Sequence, residues 1–193
     1  MTETETELFA IFERTGAILK GHFQLASGLH TDTYIQCSRL TERPVEMEML
    51  CRELAGKWDG TQVDVVVGPA YGGILPAYEL ARHLGARSVF CERAKEGSFE
   101  LRRGFRVEGD RVLVAEDVIT TGGSAKEAVD LVGASGGTVV GVASFVDRGV
   151  DKKFTEDHRF LLSITPPTWS PGECPRCRAG EEAVKPGTKP CRV

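Results

Sequence analysis

Two adjacent carboxylates, Glu116 and Asp117, stand at the end of a short apolar run, Val112-Leu113-Val114-Ala115, and are followed by Val118-Ile119-Thr120-Thr121-Gly122-Gly123-Ser124. The run reads as a buried strand, and the Thr/Gly/Ser turn reads as the opening of a helix. A helix N-terminus with free N–H groups attracts an anion, and glycines let a phosphate approach the backbone closely. The hydroxyls of Thr120, Thr121 and Ser124 add donors. The two carboxylates cannot hold a phosphate themselves. They are placed to accept hydrogen bonds from vicinal sugar hydroxyls. Phosphate and diol at that separation suggest a ribose 5-phosphate. A plain N-capped turn needs neither the acidic pair nor the double glycine. No Gly-Lys-Ser/Thr follows the glycines, which excludes a Walker-type loop, and the turn lacks the Gly spacing of a dinucleotide fingerprint.

The elements that must position these groups follow from the hydrophobic pattern. Leu8, Ile11, Phe12 and Thr15 fall at helical spacing before Gly16. Residues 22–38 mix strand formers around Ser27-Gly28 and predict a short hairpin. Pro44 suits the first turn of a helix whose apolar stripe is Met47, Leu50, Leu54 and Trp58. Residues 63–67 form a β-branched run ending in Gly68-Pro69, as expected of a strand buried on both faces. A helix is expected over 73–84 with Ile74, Tyr78, Ala81 and Leu84 on one face, then strands at 88–92, 111–115, 138–147 and 160–164, with a helix after Gly122-Gly123. Strands alternating with helices imply an α/β fold with a mostly parallel sheet. The expected organisation is a single domain over 1–193. It has an N-terminal region at 1–40, a core sheet region at 60–165, a basic insert at 93–109, and a Pro- and Gly-rich tail at 166–193 of extended or loop structure.

Composition bounds the rest. The 193 residues are 41% hydrophobic and 27% charged, with net charge −4, which disfavours both disorder and a globally basic nucleic-acid binder. No apolar run approaches the length of about 20 residues that spans a bilayer. Glu3, Glu5 and Glu7 stand where a secretory signal would carry Lys or Arg, so a cytoplasmic protein is expected, with its six cysteines (37, 51, 91, 174, 177 and 191) reduced. The insert is the one strongly cationic stretch, with Arg93, Lys95, Arg102, Arg103 and Arg106. Cys174-Pro-Arg-Cys177 is half a zinc site at most, because no second pair stands at zinc-finger spacing, although Cys191 and His158 can in principle join. A plain reduced pair is the expectation. His22 and His30 read as surface or satisfied polar residues, and Trp58 and Trp169 as packing residues.

Together these motifs resemble a known family. EDVITTGGS is similar to the 5-phosphoribosyl 1-pyrophosphate signature of type I phosphoribosyltransferases. FQLASGLHTDTYI, VVVGPAYGGILPAYELA, ERAKEGSFELRRGF and the late DRG narrow the resemblance to the orotate phosphoribosyltransferases, over nearly the whole chain. The resemblance implies the type I phosphoribosyltransferase fold, with residues 1–40 as a small hood and base-pocket region and residues 93–109 as a mobile catalytic loop. It implies that Glu116 and Asp117 hold the ribose hydroxyls and that Val118, Ile119, Thr120, Thr121, Gly122, Gly123 and Ser124 wrap the 5-phosphate. Tyr71, Gly72 and Arg93 would meet the pyrophosphate. Tyr34, Ile35, Thr120 and Arg148 would bind orotate, Arg148 pairing with its carboxylate. Asp117 would act in catalysis with Lys95, Arg102 and Arg103 of a mobile loop that reaches a neighbouring subunit, so a homodimer is implied. Mg²⁺ is the implied cofactor, held mainly by substrate and water, with no nucleic-acid or membrane partner. Many bacterial relatives carry Lys where this chain has Ala26, Gly72 and Ala94, and the family's loop His has no counterpart between 93 and 106. Two other readings remain at this point: a purine-salvage phosphoribosyltransferase, which SGLHTDTYI and Arg148 oppose, and a regulator that keeps the fold and binds RNA phosphates through the insert.

Overall fold

The computed structural model describes residues 3–25, 27–149, 154 and 156–186. Ala26 and Cys191 lie outside the described residues. The centre is a six-stranded sheet in the order β5-β4-β3-β6-β7-β8, built from β3 (Val65–Pro69), β4 (Arg87–Arg93), β5 (Phe99–Leu101), β6 (Arg111–Ile119), β7 (Thr138–Asp147) and β8 (His158–Ser163). All neighbours pair in parallel except β5, which runs antiparallel to β4. The central strands are apolar at successive positions because both sheet faces are covered. Val66, Leu113 and Ala115 face α1 (Glu3–Arg14), α2 (Pro44–Gly56) and α3 (Ile74–Leu84). Val65, Val67, Val112 and Val114 face α4 (Gly123–Ala134). Among the described residues no helix is long and apolar enough to cross a membrane.

Chain order departs from spatial order at one place that matters. From β3 the chain moves outward to β4, then returns to place β6 on the other side of β3. The loops after β3 and β6 therefore diverge from a crevice at the carboxyl ends of the strands, where open α/β sheets take their ligands. Gly68 makes the first of these loops possible. A Cβ there would lie 2.2 Å from the carbonyl oxygen of Gly73 and 2.8 Å from the Cβ of Ala77. Backbone cannot give way as a flexible side chain does. Gly68→Ala is expected to cost about 1–3 kcal/mol, measured as a lower urea midpoint at unchanged slope.

A second, three-stranded antiparallel sheet, β1-β2-β9, is built from β1 (Ile18–Gln24), β2 (His30–Ile35) and β9 (Thr168–Trp169). The expected hairpin is present and starts earlier, at Ile18. The tail is more ordered than its composition predicts. It supplies β9, a one-turn helix α5 (Pro175–Arg178), and a backbone pairing of Val184 with β1.

Two other expectations need correction. The buried face of α3 is Ala77, Leu80 and Ala81 rather than the face with Tyr78, which is 61% exposed. Alanines win the sheet-facing positions because the helix packs directly over Gly68. Trp58 lies beyond the end of α2, yet is buried, its ring filling the space that a Cβ on Gly141 would need.

Candidate active site

The anion cradle forms where β6 ends. Gly122 caps α4 in the left-handed conformation, φ 71°, which a side chain would strain. The first helical bond runs from Lys126 N–H to the Gly122 carbonyl, so the amides before it have no helical acceptor. A cavity of about 260 Å³ lies against them, lined by Glu116, by Val118 through Ala125 and by Glu127. The first turn of α4 holds no acidic residue to compete for an anion.

The acidic pair borders this cradle. Glu116 is buried, and that burial, reinforced by the neighbouring Asp117, pushes its carboxyl up to about 8. It therefore keeps its proton at neutral pH. Burial also raises Asp117, opposed by the Val118 N–H, which donates to its Oδ1 at 2.7 Å. Burial thus makes both carboxyls harder to ionise than free ones, and the protonated Glu116 can donate a hydrogen bond where Asp117 accepts one. The loop after β3, with its cis Ala70–Tyr71 peptide bond, comes close enough that a Cβ on Gly72 would stand 3.0 Å from both Asp117 carboxylate oxygens.

A second cavity of about 370 Å³ lies beside the cradle and shares Thr120 with it. Gln24, Leu25, Ser27 and Tyr34 wall it from the hood, Arg148 from the loop after β7, and Lys185 and Pro186 from the tail. The Arg148 N–H donates to the Ile119 carbonyl at 3.0 Å, which ties its loop to the cradle loop. The Arg148 Nε is buried and has no hydrogen-bond partner among the described residues. Burial lowers the guanidinium's affinity for its proton, opposed by Tyr34. A buried, unpaired guanidinium nitrogen in a pocket is costly until an acceptor arrives. The cavity is thus suited to a small planar anion.

The remaining residues picked from the sequence divide between the site and the surface. Tyr71 is 91% exposed and Gly72 is exposed on the loop facing Asp117. Arg93, at the end of β4, pairs at 2.8 Å with Glu127, a cradle-lining residue, and lies over the Phe99 ring. Ile35 packs against the main core rather than the cavity. Lys95, Arg102 and Arg103 are exposed on the β4–β5 hairpin and the turn after it, and line neither cavity. Arg102 pairs with Glu100 at 2.8 Å and Arg103 with Glu92 at 2.9 Å. Ala94 closes the hairpin turn through its bond to Ser98. Lys185 was not legible as a site residue, because only the Val184 pairing with β1 brings it to the cavity.

The comparisons with known proteins agree with this geometry. The phosphoribosyl transferase domain family matches residues 41–170. An orotate phosphoribosyltransferase of Thermoanaerobacter sp. (strain X514) is 48% identical over 185 residues, 95% of this chain and 97% of that protein. Among solved structures, orotate phosphoribosyltransferase from Aeropyrum pernix superposes with TM-score 0.71 at 26% identity, covering 81% of this chain and 93% of that one. The Mycobacterium tuberculosis H37Rv orotate phosphoribosyltransferase in complex with 5-phospho-alpha-D-ribosyl 1-diphosphate gives TM-score 0.67 at 28% identity, over 83% and 96% of the two chains. The cradle, the acidic pair and the cationic pocket beside them thus sit in a chain that belongs to the orotate phosphoribosyltransferase family.

Proposed function

We propose that the two cavities joined at Thr120 transfer ribose 5-phosphate from 5-phosphoribosyl 1-pyrophosphate to orotate, giving orotidine 5′-monophosphate and pyrophosphate in pyrimidine biosynthesis. The observation that carries this assignment is the buried, unpaired Arg148 Nε in a pocket sharing a wall with a phosphate cradle. A purine has no carboxylate to satisfy it. Orotate consumption with no turnover of hypoxanthine or adenine is the expected result. Purine turnover would overturn the reading.

In this reading the amides and hydroxyls of residues 118–124 hold the 5-phosphate, and Glu116 and Asp117 bind the ribose hydroxyls. A ring nitrogen of orotate attacks the anomeric carbon. The bond to pyrophosphate breaks and its electron pair leaves with the pyrophosphate oxygen. The sugar passes through an oxocarbenium-like state, whose positive charge the Asp117 carboxylate favours. No protein nucleophile is needed. Arg148 and Tyr34 orient the base, and positioning contributes much of the acceleration.

A carboxylate bordering a phosphate cradle suits a hard divalent cation. Asp117 would help hold Mg²⁺, chiefly through substrate oxygens and water. When bound, it supplies positive charge against the pyrophosphate.

The exposure of Lys95, Arg102 and Arg103, none of which lines either of the two cavities, supports a role for them in a partner's cleft. Tyr71, Leu75 and Tyr78, exposed at helical spacing around the start of α3, support a homodimer. The hood, sheet, insert and tail would then act as one catalytic domain per subunit. Mixing a Lys95→Ala/Arg103→Ala double variant with Asp117→Asn subunits is expected to restore turnover well above either parent. No restoration would place the loop in its own subunit's site. The Glu92, Glu100 and Glu127 partners already neutralise most of the insert's arginines, which argues against RNA phosphates as its ligand. The setting that fits this reading is the cytoplasm, where thiols such as the buried Cys37, Cys51 and Cys91 stay reduced.

A further inference from the structure

Away from the active site, four ligand-type atoms converge where the hood meets the tail. His22 on β1, His30 on β2, and Cys174 and Cys177 at α5 bring one nitrogen or sulfur each to within 4.8 Å of one another. His22 Nε2 lies 2.9 Å from His30 Nδ1, 3.4 Å from Cys174 Sγ and 3.7 Å from Cys177 Sγ. Cys177 Sγ lies 3.2 Å from His30 Nδ1. His22, His30 and Cys174 are buried, and Cys177 is half-buried.

Hydrogen bonding alone does not account for this arrangement. His22 Nδ1 lies 3.0 Å from the Glu181 carbonyl, an acceptor only, so Nδ1 carries the proton and Nε2 presents a lone pair. Three groups crowd that single lone pair, and only one proton can bridge to it. A cation at the centre would satisfy all four atoms at once. The Glu181 carbonyl is then the outer partner that fixes the orientation and tautomer of a metal-bound imidazole. With zinc–nitrogen bonds of about 2.0–2.1 Å and zinc–sulfur bonds of about 2.3 Å, tetrahedral edges run from about 3.3 to about 3.8 Å. The four separations lie within about half an ångström of these edges, and no pair in the cluster is farther apart than 4.8 Å. Two thiolates and a divalent ion also sum to zero charge, which suits burial.

We propose that His22, His30, Cys174 and Cys177 form a structural zinc site that clips the tail to the hood. A soft-to-borderline tetrahedral N₂S₂ set selects zinc over magnesium. The bulge in β1 between Lys20 and Phe23 makes the site possible, because it turns His22 and Phe23 inward at consecutive positions. From the opposite side, the tail runs along β2 through Trp169, which pairs with His30, before reaching the two cysteines. Beyond Cys177 the chain returns to β1 at Val184 and so carries Lys185 to the second cavity. The clip therefore sets one wall of that cavity, a consequence that rests on the function proposed above. The metal itself does not.

The test is metal content of the full chain, purified without a polyhistidine tag. About one zinc per chain is expected, falling at least tenfold in Cys174→Ser/Cys177→Ser and retained in His30→Cys, which keeps a fourth soft ligand. Should the serine variant fail to fold, the wild type stripped with chelator and titrated with Co²⁺ carries the test. A thiolate-to-cobalt charge-transfer band with intense tetrahedral d–d bands is expected. Wild-type protein that contains no zinc and gives no such spectrum overturns the site, as does a Cys174–Cys177 disulfide under reducing purification. Neither readout depends on turnover, so failure here leaves the catalytic reading standing.

Discussion

Asp117→Asn lowers kcat/KM for phosphoribosyl pyrophosphate by about 10²–10³-fold, the loss expected when one preorganised electrostatic group is removed from a buried site. Asparagine keeps the size of the side chain and its carbonyl can still accept from the Val118 N–H, so the turn and the fold should survive. What disappears is the charge opposite the developing oxocarbenium. Glu116→Gln provides the internal contrast. Glu116 is held up to about 8 and is already neutral at pH 7, so the amide imitates the state the free site contains. Its effect is expected to stay within about tenfold, the size of one neutral hydrogen bond. Loss of orotate absorbance measures both variants, with circular dichroism as the check on folding. A larger loss in Glu116→Gln than in Asp117→Asn would reverse the two assignments.

Arg148→Met lowers kcat/KM for orotate by about 10²-fold, through KM more than kcat, because a charge-assisted pair to the substrate is lost while packing volume is kept. Phosphoribosyl pyrophosphate affinity, measured by calorimetry, should barely change, since the cradle amides do not involve this side chain. Arg148→Lys is expected to recover only part of the loss. An ammonium is a point charge and cannot reproduce the fork of a guanidinium. Equal losses for both substrates would place Arg148 in the sugar site instead.

Much of this site was legible because its signals are local. A β-branched run ending in Gly-Pro, and another ending in two carboxylates and a Thr/Gly/Ser turn, define two strands and two loops without tertiary information. Ladder order then puts both loops at one crevice. The failures share a cause. Tyr78 suits the apolar stripe of α3 by periodicity, but the close approach of Ala77 to Gly68 decides which face is buried. Zinc-finger spacing would put a second ligand pair close to Cys174 in sequence. His22 and His30, whose ring nitrogens approach the two sulfurs, instead come from neighbouring strands of a bulged hairpin, 152 and 144 positions before Cys174. A register shift of one residue is invisible in composition and periodicity. Lys185 escaped for the same reason, since a single parallel bridge places it.

The close approach of Asp117 to Gly72 couples the two loops. The carboxylate fills the space into which any side chain at position 72 must grow, with both oxygens 3.0 Å from the position a Cβ would take. Groups this close do not change independently, and their substitution effects do not add. A lysine placed at 72 would therefore need the Asp117 carboxylate to shift by a few tenths of an ångström. The effect of a change in one loop is thus expected to depend on the residue in the other, which a double-mutant cycle across the two positions would read.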